Sequence, residues 1–139
     1  MLEYLTTLPA SIYVYDYNYY SNRPERVLPP HLSIYELLRE ANPLAGIMMV
    51  DKPATIYSPK NYEARNAIIR ASYEETIRRG DDLVGYIDGA DFFGHEIEHD
   101  SCLVDSDHPN DIGFWQMAKT LYEPLLTLLE RREIKKDSK

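Results

Sequence analysis

Apolar and polar positions along the chain first predict three short strands. Residues 11–17, SIYVYDY, are β-branched and aromatic and stop in an Asp/Asn-rich stretch, which predicts a strand running into a loop. Residues 45–53, AGIMMVDKP, predict a buried strand because the run is almost continuously apolar. Residues 83–89, LVGYIDG, predict a third strand of the same kind. We therefore expect short strands separated by longer helical segments.

The segments between and after these strands have the spacing of amphipathic helices. Ser33 opens a capping box, S-I-Y-E, which predicts a helix that ends before Pro43. A second helix is predicted from its cap at Ser58 to its stop at Gly80, and a last helix begins after Asp111. The side chains expected to face the core are Leu32, Tyr35 and Leu38 in the first helix, Tyr62, Ile69, Tyr73 and Ile77 in the second, and Phe114, Met117, Leu121, Leu125 and Leu128 in the last.

This alternation of strands and helices is typical of a parallel sheet covered by helices on both faces. We therefore predict one α/β domain over residues 1–139, a three-layer α/β/α sandwich. Sites in such sheets lie beyond the carboxyl ends of the strands. Here those ends carry Asp16, Asp51 and Asp88, and the loop after the last strand contains every histidine except His31. Polar chemistry is thus expected at one edge of the sheet.

Composition narrows the expected partners and compartments. No apolar run approaches the roughly 20 residues that span a bilayer, so no membrane segment is expected. The 23 acidic and 15 basic residues give a net charge of −8, which repels phosphate backbones, so nucleic acid is not an expected partner. The single cysteine, Cys102, excludes an internal disulfide and is expected to be a small buried residue. No signal peptide is visible, so a cytoplasmic location is the default expectation. No cofactor is implied.

Residues 95–99, HEIEH, match the H-E-x-x-H pattern of zinc peptidases. Such a site needs both histidines one turn apart on a regular helix, so that two imidazoles bind one ion. Gly94 precedes the pattern and Asp100 follows it, which leaves only these five residues between helix breakers. We therefore expect a solvated loop here, and no zinc site at His95 and His99.

Asp105 and His108 form a second candidate constellation in the same loop. Three residues apart in a turn, the carboxylate can accept the imidazole Nδ1–H, fix the tautomer and leave Nε2 free as a general base. Pro109 keeps His108 out of the helical conformation, so the imidazole is presented from a stiff loop. Asp107 is the weaker candidate for the orienting acid because it is adjacent to His108 in sequence.

Residues 104–125, VDSDHPNDIGFWQMAKTLYEPL, resemble the carboxyl-terminal signature of the SGNH, or GDSL-like, hydrolases: Asp-x-x-His-Pro-Asn, then a glycine, then a helix with Met-Ala. Residues 52–94 are similar to the stretch before that signature, and the resemblance covers most of residues 11–128. It implies a flavodoxin-like α/β/α fold and hydrolysis of an ester, often an acyl group on a carbohydrate or lipid, by a Ser-His-Asp triad. His108 would be the general base and Asp105 its orienting acid.

The chain departs from the family pattern near its amino terminus. The family's nucleophile lies in a Gly-Asp-Ser block at the end of the first strand, and this chain has no such block, so its nucleophile is unknown. The first strand and helix of the fold are expected to be missing, either because the chain is the carboxyl-terminal part of a longer hydrolase or because it is a derivative that has lost its chemistry. For the family's oxyanion amide, Asn18 is the nearest candidate, while another alignment places Tyr20 there.

Two functions from different classes follow. The leading hypothesis is an SGNH-type ester hydrolase, or its carboxyl-terminal fragment, acting on a small-molecule or carbohydrate ester, including removal of acetyl groups from carbohydrate. The alternative is a non-catalytic α/β domain that self-associates or binds a partner through the sheet edge left open by the missing strand, because an unpaired strand edge favours association.

Overall fold

The computed structural model describes residues 2–16, 28–53, 62–93, 99–105 and 108–138. The strands are β1 (Ile12–Tyr15), β2 (Gly46–Val50) and β3 (Val84–Ile87), and the helices are α1 (Leu2–Thr6), α2 (Leu28–Ala41), α3 (Tyr62–Arg78) and α4 (Asp111–Asp137). Two 3-10 turns, Gly89–Asp91 and His99–Cys102, lie between β3 and α4. The predicted alternation of strands and helices is confirmed.

The three strands form a parallel sheet in the order β1-β2-β3. Met49 pairs with Tyr15 on one side and with Tyr86 on the other, so β2 is the central strand. Its five residues are all buried, as the apolar run predicts. Within the described residues β1 and β3 are the sheet edges, and association through an open edge stays a prediction.

Side chains on the central strand alternate between two apolar layers. Ile47 and Met49 pack with side chains of α2 and α3, whereas Met48 and Val50 pack with Leu128 of α4 and with the segment after β3. Cys102 is fully buried in the second layer, as expected for a lone cysteine. Helices therefore cover both faces of the sheet, which confirms the predicted three-layer α/β/α sandwich.

Helix α4 runs antiparallel to the strands, and this orientation positions the segment before it. Near its start, the Thr120 hydroxyl donates to the Asp91 carbonyl, 3.2 Å away, in the segment that follows β3. Near its end, Lys135 forms an ion pair with Asp82, which precedes β3. Because α4 starts at the carboxyl edge of the sheet, the loop that ends at Asn110 lies at that edge.

Three local predictions were wrong. Helix α2 begins at Leu28 instead of after Ser33, because proline is accepted in the first turn of a helix, where its missing N–H has no partner to lose. Ile77 and Phe114 were expected in the core but are 46% and 59% exposed. Helices α3 and α4 instead bury polar and small side chains, which a search for apolar stripes does not detect: Arg65, Asn66, Ser72 and Thr76 in α3, and Gly113 and Gln116 in α4.

Two other predictions concern the ends of the second predicted helix and the absence of a membrane-spanning segment. The predicted start of the second helix at Ser58 lies outside the described residues, while its end agrees with prediction: α3 stops at Arg78 and Gly80 adopts a φ of 82°, a conformation that favours glycine. Among the described residues, no helix combines the length and apolar character that crossing a membrane requires.

Candidate functional site

The structure brings Asp105 and His108 together in the loop before α4. His108 Nδ1 lies 2.8 Å from Asp105 Oδ2 and 3.1 Å from Oδ1. Asp105 Oδ1 also accepts the backbone N–H of His108 at 2.8 Å, so one carboxylate holds both the main chain and the ring of the histidine. Because 70% of the His108 side chain is exposed, the imidazole is open to solvent.

Backbone hydrogen bonds join the two arms of this loop. The Val104 N–H donates to the His108 carbonyl at 2.8 Å, and Leu103 and Pro109 form an isolated antiparallel bridge. The Asn110 N–H donates to the Cys102 carbonyl at 2.9 Å, in the buried layer under α4. The sheet core thus anchors both arms of the turn that carries the His108 imidazole.

Asn110 connects this turn to the start of α4. Its Oδ1 accepts the N–H of Gly113 at 3.0 Å and caps the helix, and its Nδ2 donates to the carbonyls of Ser101 and Leu103 at 2.9 and 3.3 Å. A Cβ on Gly113 would lie 2.2 Å from the Cys102 carbonyl oxygen, so only glycine allows this approach. The spacing His-Pro-Asn-x-x-Gly is therefore explained by how the loop docks on the helix.

The chemistry of the pair follows from its hydrogen bonds. An ionised Asp105 accepts from Nδ1–H, which leaves Nε2 unprotonated in the neutral imidazole and able to accept a proton. A shallow cavity of about 520 Å³ is lined by Val104 and residues 109–112, which flank the pair in sequence. Val104 and Ile112 give it two exposed apolar side chains. The arrangement can thus combine a general base with an apolar contact surface.

Several other predicted site residues lie outside the part of the chain that the structure describes. Asn18, Tyr20 and Asp107 lie outside the described residues, as do residues 94–98 with most of the H-E-x-x-H pattern. In the part of the chain that the structure describes, no group of three or more His, Cys, Asp or Glu side chains could hold a metal ion.

Three of the five described serines do not qualify as the nucleophile, and nothing identifies Ser33 or Ser101 as one. Ser11 directly precedes β1, at the amino end of the sheet, opposite the edge that carries His108. The hydroxyls of Ser72 and Ser138 donate to the Ile68 and Ile134 carbonyls of their own helices. The nucleophile therefore stays unknown.

A second polar cluster at the same edge was missed by sequence reasoning. The Asp51 carboxyl is fully buried at the end of β2, and its Oδ2 accepts the Tyr86 hydroxyl from β3. Arg70 of α3 forms an ion pair with Asp88 and lies over the Tyr86 ring, 5.2 Å from its centroid. The only sequence signal was the position of Asp51 and Asp88 at strand ends, which did not reveal Arg70 or Tyr86.

Burial raises the pKa of the Asp51 carboxyl to about 7. The Tyr86 hydrogen bond and the Arg70 charge act in the opposite direction, while the charges of Asp88 and Asp16 raise the pKa further. Burial likewise raises the pKa of the Tyr86 hydroxyl, and the neighbouring Asp51 adds to that shift. The cluster therefore holds a carboxyl group that changes charge near neutral pH.

Comparison with known proteins agrees with these features. A model of the GDSL-like lipase/acylhydrolase family matches residues 1–127. A Bacteroides ovatus structure described as a GDSL-like lipase superposes with a TM-score of 0.78 at 21% identity, covering 93% of this chain and 39% of its own. For the salicylyl-acyltransferase SsfX3 from a tetracycline biosynthetic pathway the TM-score is 0.75 at 18% identity, covering 91% of this chain and 40% of its own. No match was found among curated proteins. The chain thus spans about two-fifths of these two structures.

Proposed function

The chain belongs to the GDSL-like lipase/acylhydrolase family, and we propose that it supplies the acid–base half of a serine ester hydrolase site. In this proposal His108 is the general base and Asp105 orients it. The observation that carries the proposal is the 2.8 Å contact between His108 Nδ1 and Asp105 Oδ2 in a loop whose imidazole is open to solvent. A serine hydroxyl that the described residues do not identify would complete the site.

The reaction assigns one task to each side chain. As the serine oxygen bonds to the acyl carbon, His108 Nε2 takes the hydroxyl proton and then gives it to the leaving alcohol. Water next attacks the acyl-enzyme, His108 takes a water proton, and the serine oxygen leaves with that proton. Throughout, Asp105 holds Nδ1–H and stabilises the imidazolium that forms in each half-reaction.

The surroundings of the pair favour a neutral ester with a small acyl group. Val104 and Ile112 are exposed apolar residues that flank the pair in sequence, and the cavity they line is shallow. The net charge of −8 disfavours an anionic substrate by long-range repulsion. A small-molecule or carbohydrate ester fits both features, and hydrolysis of a carbohydrate acetate is one such reaction.

The proposal is tested with a short-chain acyl ester near pH 8. We expect the 139-residue chain to show no hydrolysis above its His108→Ala variant, because the nucleophile block is not in its sequence. A version extended upstream by a Gly-Asp-Ser block should be active. That activity should fall by on the order of 10³-fold in His108→Ala and by at least about 10²-fold in Asp105→Asn.

The matched control is Asp91→Asn in the extended version. It removes one exposed carboxylate after β3 that is not part of the His108 loop, so its rate should stay within about threefold of the parent. An extended version that keeps its activity in His108→Ala would contradict the role of His108. Turnover by the 139-residue chain that a serine-directed inhibitor stops would show that its own serines include a nucleophile.

A further inference from the structure

A second cavity, separate from the His108 loop, lies between α3 and the carboxyl ends of β2 and β3. It encloses about 300 Å³, and neither His108 nor Asp105 lines it. Its charged and amide lining consists of Asp51, Glu63, Asn66, Arg70, Glu74 and Asp88. The cavity is large enough for a small organic ring and is not used by the proposed reaction.

The charge of this lining favours a cation. Four of its side chains are carboxyls and one is a guanidinium. That guanidinium, Arg70, already forms an ion pair with Asp88, so the lining keeps an excess of negative charge. Lys52 and Arg65 are also buried near this edge, but they do not line the cavity and both have contacts of their own. An anionic ligand would be repelled here.

Asp51 supplies the specific acceptor. It is 0% exposed, its Oδ2 accepts the Tyr86 hydroxyl, and its Oδ1 has no hydrogen-bond partner among the described residues. A buried polar atom without a partner is energetically unfavourable, so it marks a place where a donor is missing. Burial raises the pKa of Asp51, so its ionised form is favoured when a positive charge is placed beside it.

We propose that this cavity binds the ammonium group of a small organic amine, with Asp51 Oδ1 accepting one of its N–H groups. The ammonium supplies both features that the cavity lacks, a hydrogen-bond donor for Oδ1 and a positive charge among the carboxyls. The hydrocarbon part of the amine contacts the apolar lining of Ala67, Ala71 and Ala90 and the Tyr62 side chain. A neutral alcohol could donate to Oδ1 but gains nothing from the surrounding charge.

The test compares cyclohexylamine with cyclohexanol, two rings of one shape that differ in charge. Binding is followed by two-dimensional NMR of the 139-residue chain at pH 8. We expect saturable binding of the amine with shifts at Tyr62, Asn66 and Ala90, and binding of the alcohol weaker by at least about tenfold. Equal binding of the two rings, or no saturable binding of the amine, would overturn the proposal.

Binding should also depend on pH in a direction fixed by Asp51. The alkyl ammonium stays charged between pH 6 and pH 8, whereas Asp51, with a pKa of about 7, is mostly protonated at pH 6 and must lose a proton when the amine binds. We therefore expect about tenfold weaker binding at pH 6 than at pH 8. The other charged groups around Asp51 are Asp16 on the β1 side, Lys52 after β2, Glu63, Arg65, Arg70 and Glu74 on α3, and Asp88 after β3.

Asp51→Asn separates a specific acceptor from general charge. Asparagine keeps the shape of the side chain but cannot carry its negative charge. The variant should therefore weaken amine binding by at least about tenfold and abolish the pH dependence of that binding. Asp91→Asn, which removes a carboxylate outside the cavity lining, should leave both unchanged. His108→Ala should also bind the amine as the parent does, since this site does not depend on ester hydrolysis. Unchanged affinity in Asp51→Asn would overturn the proposal, and if that variant does not fold, the pH series on the parent chain decides.

Discussion

Two carboxyl groups at one edge of the sheet are held in opposite ways. Asp105 meets His108 three residues along the chain, in an exposed loop closed by backbone hydrogen bonds. Asp51 meets Tyr86 from 35 residues away, buried at the end of the central strand. The first pair needs only a local turn, whereas the second exists only because β2 and β3 pair in one register. Local sequence therefore specifies one pair, and tertiary structure creates the other.

Exposure also decides what each carboxyl can do. Both members of the Asp105–His108 pair are more than half exposed, so the pair adds little to stability, and in the proposed reaction its value lies in holding an imidazole ready for proton transfer. The buried Asp51 loses its hydration, so its ionised form is disfavoured and it responds to a charged neighbour or ligand. The same functional group is thus the proposed orienting acid in one place and a buried, charge-sensitive acceptor in the other.

One glycine lies in each of these two regions, and replacing either by alanine should have the largest effect on the free energy of unfolding. A Cβ on Gly89 would lie 1.8 Å from the Lys52 carbonyl oxygen beside the buried cluster. Because that neighbour is backbone next to β2, we expect Gly89→Ala to reduce the free energy of unfolding by at least about 4 kcal/mol, measured by urea denaturation. Gly113→Ala meets the Cys102 carbonyl oxygen at 2.2 Å, a less severe overlap than at Gly89, so its cost should be smaller, about 2–3 kcal/mol.

Gly80→Ala is the matched control for both variants. Nothing lies within 4 Å of a Cβ there, and only its φ of 82° opposes a side chain, so the cost should be about 1 kcal/mol. If Gly89→Ala were no less stable than Gly80→Ala, the close contact between the β2 end and the β3 loop would not be rigid. The backbone around the Asp51 cluster would then be no more rigid than the backbone of the exposed His108 loop.

How much the sequence could predict follows the same division. The Asp-x-x-His-Pro-Asn spacing predicted the Asp105–His108 contact because every step of it is local. The cluster around Asp51 could not be predicted, since it requires the strand register and the rotation of α3 that brings Arg70 over Tyr86. The same unknown rotation explains why Ile77 was placed in the core while Thr76 is buried instead. The periodicity of the sequence predicts the strands and helices, but tertiary packing determines which face of each helix is buried.

The pH dependence of stability sharpens the contrast between the two carboxyls. The folded-state pKa of Asp51 is raised to about 7, above the unfolded value near 3.9, so its contribution to stability is fully present below pH 4 and is lost as pH rises through 7. The loss amounts to roughly 2–4 kcal/mol. Asp51→Asn should remove it, so the stability of the variant relative to the parent should rise by that amount between pH 4 and pH 8.

A second buried group opposes this trend in the parent chain. Burial lowers the pKa of His31 to about 4, below its unfolded value near 6.5, so its contribution is present above pH 6.5 and is lost as pH falls toward 4. The two titrations partly cancel in the parent, which is why the difference between variant and parent is the informative quantity. Asp105→Asn should change much less over this range, because the pair that Asp105 forms is more than half exposed and adds little to stability. Equal changes in the two variants would remove the distinction between the carboxyls.

The smallest expected effect concerns Asn110, which joins the His108 loop to α4. Asn110→Ala loses the cap on the Gly113 N–H and both donations to the Ser101 and Leu103 carbonyls, and should cost about 1 kcal/mol in the free energy of unfolding. Asn110→Asp keeps the capping oxygen but not the amide donor, so stability should recover while the loop stays loosened. NMR of the His108 ring reports the loop directly: its signals should broaden or shift in both variants. If Asn110→Asp instead restores the parental ring signals, the Asn110 amide is not needed to hold the loop, and the bridge between Leu103 and Pro109 holds the imidazole in place. The exposed pair would then depend on backbone pairing, as the buried contact between Asp51 and Tyr86 does.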